Sequence, residues 1–145
     1  MIVVDTSVWI AARRHPAAAV HRTLMALLDA DEVALIRAAV AGCEAAYAKV
    51  REILQPGVTE IAIYAQIYAT ATETVGEPIG EMGNDFRAGA GGGTPRVRGV
   101  EAGELMPLDV SIVVRGYSCD LCRTFSVDRQ PTAAQNEAYD LIVAA

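Results

Sequence analysis

The chain has 145 residues, 52% of them hydrophobic, and a formal net charge of −6. That is one domain's worth of sequence with enough apolar content to build a core, while the acidity argues against a general nucleic-acid binder, which needs a basic face to neutralise phosphates. No apolar run approaches the roughly 20 residues that span a bilayer, and three cysteines without an export signal argue against a disulfide framework, so the expected setting is cytoplasmic.

Residues 1–30 hold three arginines against Asp5 and Asp29, which is +1, and leave −7 for the remainder. Met1 to Val4 is a short apolar run that ends in Asp5, Thr6 and Ser7 and resumes at Val8, Trp9 and Ile10. It predicts a buried strand whose end presents an acid, with Thr6 or Ser7 capping a helix. Val20, Leu24, Leu27 and Leu28 then recur at helical spacing. Ile2 to Ile10 with this helix resembles the opening of the PIN-domain toxin ribonucleases, which implies that Asp5 is one of several magnesium ligands of a nuclease centre. The similarity fades after about residue 35, and the later acids of such a centre have no counterpart. His15 and His21, the only histidines, are expected as surface residues.

From residue 34 to 54 the positions Leu35, Ile36, Ala39, Val40, Cys43, Ala46, Tyr47, Val50, Ile53 and Leu54 recur three and four apart, which predicts an amphipathic helix. Arg37, Glu44, Lys49, Arg51 and Glu52 supply its wet face, and Pro56-Gly57 stops it. Thr59 is placed to cap a second helix with Glu60 in its first turn, where an acid complements the helix dipole. Ile61, Tyr64, Ala65, Tyr68, Ala71 and Val75 mark its expected apolar side, and Gly76 its end. Residues 83–99 hold the run Gly89, Gly91, Gly92 and Gly93 broken by Ala90. A phosphate cradle needs a preceding strand, a following helix and ideally a lysine, so a mobile loop is expected instead.

The most informative stretch is residues 108–125. Val110, Ile112 and Val114 alternate with Asp109, Ser111 and Val113, Arg115-Gly116 interrupts, and an extended run resumes at Tyr117. With Arg115 and Gly116 as the two turn residues, Val114 pairs with Tyr117, Ser111 with Asp120 and Asp109 with Cys122. Asp109 and Asp120 then share one face, diagonally placed with Cβ atoms roughly 7 Å apart. Two carboxylates so placed either grip a divalent cation, or point to solvent at a sheet rim; on a half-buried face without a cation one of them takes up a proton. Cys119 and Cys122, three apart on a strand, face opposite sides and read as packing residues rather than a zinc pair.

Asp109, Gly116-Tyr117, Asp120 and Arg123-Thr124-Phe125 resemble the metal-binding hairpin of the pita-bread metallopeptidases, within which the aminopeptidase P, prolidase and creatinase branch fits best. Residues 31–37 with the helix after them, 55–60, and Pro131-Thr132 with Gln135 to Tyr139 agree in order, so the resemblance spans about residues 31–145. It implies an α+β fold, the first half of a pita-bread domain with two long helices against a curved antiparallel sheet, behind a PIN-like segment at residues 1–30. It also implies Asp109 and Asp120 as ligands of a divalent metal (manganese, cobalt or zinc) in a dinuclear peptidase acting on peptides. The histidine and two glutamates that complete such a site would lie beyond Ala145, so the chain is expected to be an incomplete, inactive peptidase domain. The region that commonly offers a histidine to substrate holds none here.

Thr132 is placed to cap a last helix carrying Ala138, Leu141 and Ile142, whose stripe has little to pack on. Self-association through the face left by the absent half is therefore expected. The alternatives are a magnesium-dependent PIN ribonuclease built on Asp5 and a non-catalytic interaction module using an exposed sheet edge or the last helix.

Overall fold

A computed structural model of the chain describes residues 19, 22, 23, 30–89 and 91–144. The expected N-terminal strand and Asp5, the apolar positions of the helix that follows, and both histidines lie outside the described residues. The chain separates into two compact units, Met1–Leu35 and Ile36–Ala145. No helix among the described residues is long and apolar enough to cross a membrane.

Helix α1 (Ala30–Ile53) has Asp31 and Glu32 in its first turn and Arg51 in its last, each sign matched to the helix dipole. It begins four residues before the apolar periodicity does, because those acids suit a helix start but carry no hydrophobic signal. Its buried face is Ala39, Gly42, Cys43, Ala46, Tyr47 and Val50, the expected stripe. Helix α2 (Glu60–Val75) opens as expected: Thr59 is extended at φ −80° and ψ 147°, and its hydroxyl accepts from the Ala62 amide. Gly76 closes it in the left-handed conformation and donates its amide to the Thr72 carbonyl.

The apolar side of α2 differs from the one expected. Its buried residues are Glu60, Ile63, Ile67 and Ala71, whereas Ile61 is 40% exposed. Tyr64 and Tyr68 sit half-buried on the flank, Tyr64 edge-on to Phe86 at 4.9 Å and Tyr68 donating its hydroxyl to the Ile79 carbonyl. Amphipathic rings suit such a shoulder, with the ring body covering the core and the hydroxyl finding a polar partner.

Strands β1 (Leu105–Val114) and β2 (Tyr117–Ser126) form an antiparallel hairpin. Arg115 and Gly116 take φ values of 50° and 89°, the two positive angles of a type I′ turn. The register is the one read from sequence: Val114 opposite Tyr117, Ser111 opposite Asp120, Asp109 opposite Cys122. Met106, Leu108, Val110, Ile112 and Val114 are sealed in the core. Helix α1 lies against this face. The Tyr47 hydroxyl donates to the carbonyls of Leu108 and Leu121, and the Cys43 thiol to those of Val110 and Cys119. Burial, reinforced by Cys119, pushes the Cys43 thiol up to about 12, the mark of an inert packing thiol.

The free edge of β1 is covered by residues 80–89. Gly80 donates its amide to Val113, Gly89 donates to Leu105, and the Asp109 amide donates to Asp85. Gly83 makes this approach possible. Its φ is +89°, and a Cβ there would stand 1.9 Å from the Asp109 carbonyl oxygen.

The glycine-rich segment after it is irregular but pinned. Glu60, with no exposed surface, accepts from Nε and Nη2 of the Arg96 guanidinium, from the Arg96 amide and from the Ala88 amide. Arg98 pairs with Glu104, the Asp85 carboxylate accepts from the Gly93 amide, and Arg87 donates to the Thr94 carbonyl. This replaces the expected mobile loop with one held by charge-assisted bonds. Helix α3 (Ala133–Ala144) follows the hairpin, with Thr132 and Gln135 bonding reciprocally in a capping box.

Gly83→Ala is expected to cost about 2–4 kcal/mol in urea unfolding, because a side chain must displace β1 backbone and adopt a strained φ. Gly57→Ala, at φ +91° with open space around it, carries the backbone penalty alone and serves as the reference. Equal losses in the two variants would contradict the close approach at Asp109.

Candidate functional site

Strand alternation that buries the even positions of β1 turns the odd ones outward. Asp109 is half-buried and Asp120 exposed on that outward face, on opposite strands one diagonal apart. Cys122, opposite Asp109, is exposed there too, while Cys119 is buried on the other face; the opposite facing is as expected for residues three apart, but only Cys119 is the packing residue expected, because Cys122 falls on the outward side of the strand. The hairpin thus brings together the two aspartates expected from sequence.

A third carboxylate joins them. Asp85 forms an isolated antiparallel bridge with Asp109, so its side chain leaves the backbone on the same side. One of its oxygens accepts from the Gly93 amide at 2.6 Å, which fixes its direction. Nothing in the local sequence marked Asp85. Its position depends on a non-local bridge and on the missing side chain at Gly83, neither of which leaves a periodic signal.

The electrostatics reflect this convergence. Burial, the Asp120 charge and a hydrogen bond with the Asp120 carboxyl raise the Asp109 carboxyl above its ordinary 3.8, and Asp85 adds to the effect. The Cys122 thiol is also pushed up, first by burial and then by Asp109 and Asp85, with Asp120 contributing and Arg123 opposing. An anionic face of this kind lacks positive charge, and a cation placed between Asp109 and Asp120 would remove the conflict. Two hard oxygen ligands suit a divalent metal ion. Among the described residues no three side chains of His, Cys, Asp or Glu converge closely enough to hold a metal by themselves.

The sequence profile of metallopeptidase family M24 matches residues 34–145. The chain belongs to metallopeptidase family M24. Solved structures agree with that placement in fold. Prolidase from Pyrococcus furiosus superposes with a TM-score of 0.67 at 20% identity, covering 80% of this chain and 35% of that one. The X-Pro aminopeptidase of Thermotoga maritima gives 0.66 at 20% identity, with 81% and 33% covered. Proline aminopeptidase P II from Yersinia pestis gives 0.64 at 27% identity, with 81% and 28% covered. The chain spans about a third of the length of these M24 structures. No curated protein matches it significantly. The helices and hairpin therefore form part of the pita-bread fold of the prolidase and aminopeptidase P branch.

Two opposed pH dependences follow. Glu60 is held below its ordinary 4.5: burial alone would raise it, but the bonds from Arg96 and Ala88 outweigh that. Glu104 is held below 4.5 chiefly by Arg98. Their contribution to stability is present above the ordinary value and is lost as pH falls through the lowered ones. Asp109 has the opposite sign: its contribution is complete below 3.8 and is lost as pH rises through the raised value. Asp109→Asn is expected to be more stable than wild type by a few tenths of a kcal/mol at neutral pH. That excess should grow from almost nothing at acid pH, as measured by urea unfolding between about pH 3 and 8. An excess that does not change with pH would contradict the carboxylate conflict.

Proposed function

We propose that residues 31–145 are the hairpin-bearing part of a dinuclear metallopeptidase domain, set behind a separate segment at residues 1–30, in which Asp109 and Asp120 are two of the metal ligands. The observation that carries this is the placement of both aspartates on the outward face of one hairpin, with the Asp109 carboxyl raised by burial and by its neighbour. Membership of family M24 supports it, since that family generally depends on pairs of divalent metal ions. The similar structures are named as enzymes of prolidase and X-Pro aminopeptidase type, so the substrate class we propose is a peptide with proline near its N-terminus, met in the cytoplasm.

A divalent ion of manganese, cobalt or zinc bound there would supply Lewis-acid chemistry for hydrolysis. The chain's own part is to hold it. The type I′ turn fixes the diagonal register, and the seal against α1 keeps both carboxylates outward. The bridge to Asp85 stiffens the strand beneath Asp109.

Two carboxylates bind a cation without fixing its geometry, and residues 34–145 contain no histidine to add to them. We therefore propose that the 145-residue chain binds metal weakly and does not hydrolyse peptides by itself. A non-catalytic interaction role is the second reading, favoured by the exposed apolar residues of α3. Asp5, the residue on which a PIN-type magnesium site would rest, lies outside the described residues.

Calorimetric titration with manganese is expected to show binding with Kd on the order of 0.1–1 mM, the range of sites with few charged ligands, and none in an Asp109→Asn, Asp120→Asn double variant. Equal binding by both proteins, or by neither, would overturn the ligand assignment. Manganese-dependent cleavage of an Xaa-Pro peptide by the chain alone would overturn the inactivity.

A further inference from the structure

The three cysteines of the chain have different surroundings. Cys43 and Cys119 are buried beneath α1, with the Cys43 thiol donating to the carbonyls of Val110 and Cys119. Packing accounts for both. Cys122 is instead on the carboxylate face, where its neighbours along that side of β2 are Asp120 and Thr124. A thiol there adds what hydroxyls and carboxylates lack, a soft donor.

The backbone brings this residue close to both aspartates. The Asp109 amide donates away from β2, to the Asp85 carbonyl. Asp109 and Cys122 therefore form a non-hydrogen-bonded pair, the kind in which opposed Cα atoms are only about 4.5 Å apart and side chains approach most closely. Asp120, two residues before Cys122, leaves β2 on the same side. Cys122 thus stands directly across from one carboxylate and next along the strand to the other. This placement follows from register and does not depend on how exposed the face is.

The three side chains do not stand ready as a metal triad. A cysteine carries its sulfur on a single torsion, however, so one rotamer change swings it without moving backbone. An ion drawn by the two aspartates supplies the reason for that change: the sulfur binds it as thiolate, and the thiol proton passes to solvent.

We infer that Cys122 is a further ligand and the one that sets metal preference, making with Asp109 and Asp120 a mixed sulfur and oxygen site that favours zinc or cobalt over manganese. Carboxylates are hard donors that suit manganese, whereas a thiolate adds affinity for the softer ions and little for a hard one. The inference rests on the reading of Asp109 and Asp120 as ligands. It goes beyond that reading by naming the donor that chooses among the metals.

The test uses the full chain in oxygen-free buffer, as wild type, Cys122→Ser and the Asp109→Asn, Asp120→Asn double variant, each checked for folding by circular dichroism. Cobalt is the spectroscopic probe, and zinc and manganese are titrated by calorimetry. Wild type is expected to show a near-ultraviolet thiolate-to-cobalt charge-transfer band that is absent from Cys122→Ser and from the double variant. Zinc outbinds manganese at most sites, so the informative quantity is the change in their affinity ratio. Even an outer-shell partner is worth roughly 10- to 100-fold in metal affinity, so Cys122→Ser is expected to lower the zinc-to-manganese ratio at least about tenfold. Cobalt bound without a thiolate band, or a ratio unchanged in Cys122→Ser, overturns the inference and leaves the two aspartates as ligands. A band that survives in the double variant also overturns it, because the thiol then binds cobalt unaided. Failure of wild type to bind any of the three ions overturns the aspartate assignment itself, and this inference with it.

Discussion

The seal between α1 and one face of the hairpin is the constraint on which the rest of this structure depends. Successive side chains of a strand point to opposite faces, so once Met106, Leu108, Val110, Ile112 and Val114 are committed to the core, Asp109 and Ser111 have no choice of direction. The Arg115-Gly116 turn then fixes the register to the residue, and a slip of one position would turn Asp120 into the core beneath α1. The carboxylate face is thus a by-product of hydrophobic burial on the reverse side. It persists at a cost from burial and from like charge, to which the raised Asp109 carboxyl corresponds, and which the hydrophobic face offsets.

A second clamp, between Glu60 and Arg96, holds the other border of the face. Glu60 carries a full charge into the core, and it is stable there because four hydrogen bonds converge on its two oxygens. Those bonds tie the first turn of α2 to residues 88 and 96, on either side of the glycine run. Between these anchors the Gly93 amide meets the Asp85 carboxylate, and Asp85 in turn receives the Asp109 amide. The buried ion pair and the outer carboxylates are thus linked through backbone.

What was legible in the sequence was what is local. The hairpin register follows from two turn residues and an alternation, and Thr59, Gly76 and Thr132 announce their helix ends by short-range chemistry. The buried side of α1 follows from a clean three-and-four spacing. The side of α2 did not, because Glu60 reads as a solvated first-turn acid when it is in fact a core residue, and because tyrosines count as apolar although their hydroxyls hold them at a flank. Asp85 was invisible for a related reason: it reaches Asp109 through a bridge across 24 positions of chain that only the absence of a side chain at Gly83 permits. The glycine run suggested freedom, which Arg96 removes by pairing with Glu60, 36 positions away in the chain.

The account rests on Asp109 and Asp120 acting together toward one cation, and manganese-induced broadening of amide resonances in the ¹⁵N-labelled chain tests this residue by residue. Substoichiometric manganese is expected to broaden the amides of Asp109, Asp120 and Cys122 first, with Asp85 close behind and the exposed acids of α3 unaffected until far higher concentration. Broadening spread evenly over the acidic surface, with no preference for the hairpin, would contradict it.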